Sequence, residues 1–163
     1  MNMLDHIGLN RTLAVESCSD LFRAETEYAH FTSAIRYPVF VNSDNYRGNP
    51  DMLETPLLRE IIDFALVEEA KLLPEAVWIP LGPKPAAALR HLAAQGWLNP
   101  DRILEGVPHP SGANAERISY FLGRKSAELL SKKTRASPRG FARLRPGLRP
   151  GLRPISVNLR IAR

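Results

Sequence analysis

The segment Val107-Pro108-His109-Pro110-Ser111-Gly112-Ala113-Asn114 places an imidazole, a hydroxyl and several main-chain N–H groups in one short loop. Pro108 and Pro110 each lock φ at about −65° and bias the residue before them away from helix, so His109 is held stiffly before any ligand arrives. A loop of this kind can aim one imidazole at a ligand. Ser111 or Gly112 would cap a helix starting near Ala113, with Glu116 close to its positive end. Other residues with chemical capacity sit further upstream. Asn45, Tyr46 and Asn49 lie in a polar loop, where recognition and plain turn chemistry compete. Gly82 suits a tight strand-to-helix turn, and Lys84 is placed to meet a phosphate or to be a solvated charge. His6, His30 and His91 have no partner pattern, and Trp78 and Trp97 read as packing residues.

These residues need elements to hold them, and the chain alternates between helical and extended patterns. Residues 13–24 read as a helix and residues 28–36 as a short strand, followed by a long polar loop over 37–54. Thr55-Pro56 gives a cap and a first-turn proline to a helix running to about Leu73, with Leu57, Leu58, Ile61, Ile62, Ala65 and Leu66 at helical spacing. Residues 76–81, closed by Gly82-Pro83, read as a buried strand, and 84–95 as a second helix closed by Gly96. Residues 102–107 supply another strand and 113–130 a third helix. This alternation predicts an α/β three-layer sandwich with a mostly parallel central sheet and right-handed crossovers. In open parallel sheets ligands bind beyond the carboxyl ends of the strands. The loops after Ser33-Ala34-Ile35-Arg36, at Gly82-Pro83-Lys84 and at His109-Pro110-Ser111 would therefore share one cleft.

The chain has 163 residues, 44% of them hydrophobic, enough for a single domain with a real core. Its one cysteine, Cys18, excludes an internal disulfide framework, and no Cys/His spacing resembles a metal site, so a reducing cytoplasmic setting, no metal and no cofactor are expected. No positively flanked apolar leader and no long apolar span occurs, which predicts a soluble chain, expected to be a monomer without membrane contact. The net charge of +5 is unevenly distributed. All 17 acidic residues precede residue 129. Residues 1–134 carry 14 Lys and Arg against them, a net of −3, whereas residues 135–163 carry eight Arg and no acid. Residues 1–134 are thus expected to be the domain. Residues 135–163, with their tandem Arg-Pro-Gly-Leu repeat, are expected to be a disordered tail. That tail could grip phosphates through counterion release, be inert, or arise from a GC-rich gene read out of frame.

Leu81-Gly82-Pro83-Lys84 with its Ala-rich helix, followed by Gly106-Val107-Pro108-His109-Pro110-Ser111, resembles the second half of the uracil-DNA glycosylase superfamily. The segment from Phe31 to Phe40, with the following Asn45-Tyr46-Arg47-Gly48-Asn49-Pro50, is similar to that superfamily's base-reading strand and the loop after it. The resemblance spans roughly residues 5–134. It implies hydrolysis of the bond between a damaged base and deoxyribose in single-stranded or duplex DNA, after base flipping. His109 matches the position that donates to the base carbonyl as negative charge develops there. Ser33, Asn45 and Tyr46 fall at base-contacting positions. Gly82, Lys84, Ser111, Gly112 and Asn114 fall where the DNA backbone would pass. The chain departs from the pattern twice. The family's opening strand and Gly-rich acidic loop are not found, so the sheet is expected to lack its first strand and excision to be weak or absent. Ser33 stands where many members use an asparagine, offering a hydroxyl in place of an amide's paired donor and acceptor. The alternative is a noncatalytic nucleic-acid-binding protein that uses the cleft and the Arg-rich tail.

Overall fold

The computed structural model describes residues 1–23 and 28–135. The expected tail therefore falls, apart from Arg135, outside the described residues.

The chain opens in helix. α1 (Asn2–His6) and α2 (Leu9–Thr12) are separated by Gly8, whose φ of 83° turns the chain between them. The helix expected over 13–24 does not form as such. Ala14 takes a left-handed φ of 55°, and the next helical turn is the 3-10 segment Cys18–Phe22. Ser17 and Asp20 close a capping box on that segment. Asp5 ties it back to α1 by accepting from the Cys18 amide at 2.7 Å and the Ser17 hydroxyl at 2.9 Å.

Residues 28–36 form no ladder. Side-chain bonds to Glu69 hold this segment instead. The buried Glu69 carboxylate accepts from the Thr32 hydroxyl at 2.8 Å and from Arg36, and His30 Nε2 lies 3.3 Å from it. Beyond it, the polar loop contains a small hairpin. β1 (Phe40–Val41) pairs antiparallel with β2 (Asp44–Asn45) across Asn42 and Ser43, which both adopt positive φ. Two consecutive left-handed residues match the twist of a two-residue hairpin turn.

α3 (Pro56–Leu72) begins where Thr55-Pro56 predicts. The Thr55 hydroxyl, however, donates to the Asp51 carbonyl at 2.7 Å and does not cap the helix amides. The buried stripe is Leu58, Ile62, Ala65, Leu66 and Ala70, while Leu57 points outward at 65% exposure. α4 (Pro83–Ala94) buries Ala86, Ala88, Leu89 and Leu92. It is fastened to α3 where His91 Nε2 approaches Asp63 Oδ1 at 2.7 Å.

Between these helices runs the fully buried segment 76–81, and its side chains alternate between two cores. Val77, Ile79 and Leu81 join Met3, Leu4, Leu9, Cys18, Leu21 and Val107. Ala76 and Trp78 join the buried faces of α3 and α4.

The mostly parallel central sheet expected from the sequence is not formed. The only sheet among the described residues is the β1–β2 hairpin, and helices dominate the rest. Parallel pairing is confined to two isolated bridges, Trp78 with Ile103 and Leu81 with Val107. The cause is local. Two residues separate the bridges on one side and three on the other, so the second segment carries one surplus residue, at a stretch where Gly106 has φ 106°. A surplus residue of this kind is a bulge, and it interrupts a ladder. Pro80, opposite it, has no N–H to give. With 28–36 unpaired as well, no third strand joins among the described residues.

The third expected helix is shorter than residues 113–130. A 3-10 turn (Gly112–Asn114) leads into α5 (Ala115–Phe121), and Gly123, at φ 71°, ends the run. A further 3-10 turn (Ala127–Leu129) and α6 (Lys132–Arg135) follow. Among the described residues, no helix is long and apolar enough to cross a membrane.

Candidate functional site

The Leu81–Val107 bridge brings the ends of two extended segments side by side, and the loops that leave them meet. Gly82 donates from its amide to the Val107 carbonyl at 2.9 Å and turns at φ 100° into α4. His109 lies directly over it. A β-carbon on Gly82 would stand 2.9 Å from His109 Cβ and 3.5 Å from its Cα, so only glycine allows the two loops this contact. Gly82 is buried, Pro108 is buried, and His109 is partly exposed. The His109 imidazole makes no hydrogen bond among the described residues, which leaves both ring nitrogens open to a ligand.

The loop beyond His109 is organised by its own bonds. The Ser111 amide donates to the His109 carbonyl at 2.9 Å. Asn114 donates from Nδ2 to the Ser111 hydroxyl at 3.0 Å, and Arg117 donates to Asn114 Oδ1 at 3.2 Å. Ser111 caps no helix amide with its side chain, contrary to expectation. Gly112 and Ala113 project at the exposed tip.

On the other side of Gly82, Lys84 is already engaged. Its Nζ donates to Asp51 Oδ2 at 2.6 Å, and its methylenes lie over Gly48. This pair pins the 46–51 loop to the start of α4. Lys84 also holds the Asp51 carboxyl below its ordinary range, aided by the Leu53 amide. Tyr46 belongs to the same corner. Its hydroxyl donates to the Pro50 carbonyl at 2.6 Å, its ring packs on the α3–α4 core, and burial raises its pKa.

The remaining nominated residues are placed as follows. Ser33 is half-buried beside Thr32, whose bond to Glu69 fixes that stretch. Asn45 is exposed on β2, paired with Phe40. Gly82 and His109 are thus in contact, and Lys84 and Tyr46 share the neighbouring Asp51 corner. Asp51 and Glu69 were not singled out by sequence reasoning. Each is a carboxylate tied to a cation from a distant part of the chain, Lys84 and Arg36 respectively. A proline-flanked acidic loop offers no spacing signal for such a pair. Among the described residues, no group of His, Cys, Asp and Glu could hold a metal ion.

No family model matches the chain, and no solved structure matches it significantly. It is 33% identical over 138 residues to the uncharacterized protein YoxB of Bacillus subtilis (strain 168), a match covering 83% of this chain and 53% of that protein. The chain therefore spans about half the length of this relative.

Proposed function

We propose that this chain is a uracil-DNA glycosylase-like protein of the DNA base-excision-repair type, in which His109 donates a hydrogen bond to the carbonyl oxygen of a base turned out of the helix. The observation that carries this reading is the Gly82–His109 contact. It sets an imidazole that makes no hydrogen bond among the described residues over the turn into α4, held by prolines on both sides. A neutral imidazole suits a carbonyl acceptor, and its donation strengthens as the base takes on negative charge. The exposed Gly112–Ala113 tip, beyond the engaged Ser111 amide, supplies main-chain donors of the kind that position a phosphate.

Excision is weak or absent in this reading. Hydrolysis needs a carboxylate or amide to place the attacking water, and the acid next to the Gly82 turn, Asp51, is occupied by Lys84, while Glu69 is taken up by Arg36 and Thr32. That occupancy favours a second reading, noncatalytic binding of nucleic acid through the same cleft, with the Arg-rich residues 135–163 adding affinity by neutralising phosphates.

The test uses single-stranded and duplex oligonucleotides with and without one uracil. The expected result is binding that prefers the uracil-containing strand, little cleavage, and loss of the preference in His109→Ala. Robust cleavage abolished by His109→Ala would restore a full enzyme. Salt-sensitive binding with no uracil preference would leave the noncatalytic reading alone standing, and no binding at all would remove both.

A further inference from the structure

α3 buries one apolar stripe against α4 and turns a second one to water. Leu57, Phe64 and Leu72 are 65%, 67% and 79% exposed, and the partly exposed Ile61 lies among them. At 3.6 residues per turn these four, with Glu68, fall within about 80° of one another around the helix. Together they leave on the order of 400 Å² of apolar surface uncovered by the described residues, a size that marks an interaction site. Glu68 is the charge inside the stripe, and Lys71 Nζ neutralises it at 2.7 Å. Lys71 is itself held in place, since its Nζ also lies 5.0 Å from the centre of the Trp97 ring.

The charges at the border of the stripe say what fits it. Glu60, near the start of α3, and Lys71, near its end, are both exposed and lie on the same flank of the stripe, about 20° apart around the helix. A twofold axis perpendicular to a helix reverses its direction and keeps each flank facing its own counterpart. It would therefore set Glu60 against the partner's Lys71, and Lys71 against the partner's Glu60. The apolar residues ask for the same axis. Leu57 and Leu72 are centred between residues 64 and 65, and Glu60 and Lys71 between residues 65 and 66. One antiparallel arrangement thus satisfies both sets, with Phe64 meeting its own copy beside the axis.

We propose that a second copy of this chain covers the stripe, the two α3 helices packing antiparallel through Leu57, Ile61, Phe64 and Leu72. The contact is isologous, the same patch serving on both sides. Two stripes bury on the order of 800 Å², and their flanking side chains bring this to roughly 1,200 Å², the lower bound of a specific interface. A reversible dimer follows. The sequence alone leads to a monomer, and this surface argues for a pair. The pairing stands apart from the glycosylase-like reading, because none of these residues belongs to the His109 loop.

Sedimentation velocity on the full chain between about 1 and 500 µM tests it. A monomer–dimer equilibrium is expected, weakened at least about tenfold by Phe64→Asp. Phe64 is exposed, so this substitution spares the core, and circular dichroism verifies the fold. Glu60→Lys and Lys71→Glu each place like charges opposite one another across the axis, so either variant alone should dimerise less. Mixed together, the two variants regain both opposite-charge pairs, and their heterodimer is expected to be at least about tenfold tighter than either homodimer. A chain that stays monomeric throughout the range overturns the proposal. So does a dimer indifferent to Phe64→Asp, or a mixture of the charge variants that associates no better than its parts.

Discussion

Gly82 sits so close beneath His109 that the two residues can be neighbours only while one of them lacks a side chain. The gap to His109 Cβ from a β-carbon on Gly82 would be 2.9 Å, and the Gly82 φ of 100° lies where other residues are strained. Gly82→Ala therefore combines backbone strain with a forced displacement of the His109 loop. The expected cost is about 2–4 kcal/mol of stability, read by chemical denaturation. In the folded fraction, any uracil preference should fall as it does in His109→Ala. A Gly82→Ala protein with unchanged stability and unchanged binding would show that the two loops are not mechanically linked.

Glu116 predicts an acid-sensitive C-terminal corner. Its carboxylate accepts from Lys125 at 2.6 Å, from the Ser131 amide at 3.0 Å and hydroxyl at 2.6 Å, and from Thr134. Lys125 first, then Ser131 and Thr134, hold its pKa far below the ordinary carboxylate range. A depressed folded-state pKa means that the stabilisation is complete above the unfolded value of about 4.3 and drains away as pH falls below it. Amides of residues 131–135 should lose protection as pH falls below that value, before α3 does. Glu116→Gln should remove the dependence. A corner equally acid-sensitive in the glutamine variant would place the titration elsewhere.

Cys18 should be silent toward thiol reagents in the folded protein. It is fully buried, and burial together with the neighbouring Asp5 carboxylate pushes its thiol up to about 12. The thiolate is the reactive form, so at pH 8 both access and ionisation fail. Iodoacetamide labelling should track unfolding by denaturant, with no fast phase in native buffer. Rapid native labelling would show that α1 and the Cys18 turn open freely.

The two long helices were legible because each advertises itself twice. α3 has Thr55-Pro56 at its start and a stripe at helical spacing, and α4 has Gly82-Pro83 and a run of alanines. The sheet was not legible. Residues 28–36 have a strand's composition, but strand formation depends on a partner, and a single segment's pattern says nothing about that. The bulge at Gly106 and the missing donor of Pro80 are visible in sequence only once the two segments are known to be opposed. The contact of the Gly82 and His109 loops followed from reasoning about where parallel segments end. The Lys84–Asp51 pair, 33 residues apart, did not, because no periodicity couples a helix start to a polar loop. The N-terminal helices were missed because they are four and five residues long, too short for a 3.6-residue period to declare itself.

The segment 76–81 turns alternate side chains into two separate cores, and this makes it a party wall between two rooms. Each room has its own further walls, the N-terminal helices and Cys18 turn for one and α3 with α4 for the other. Trp78 and Ile79, adjacent in sequence, belong to different interiors. Damage to this wall therefore empties both at once, so the halves of the molecule should melt together, and a protease would find no stage at which one half stands alone.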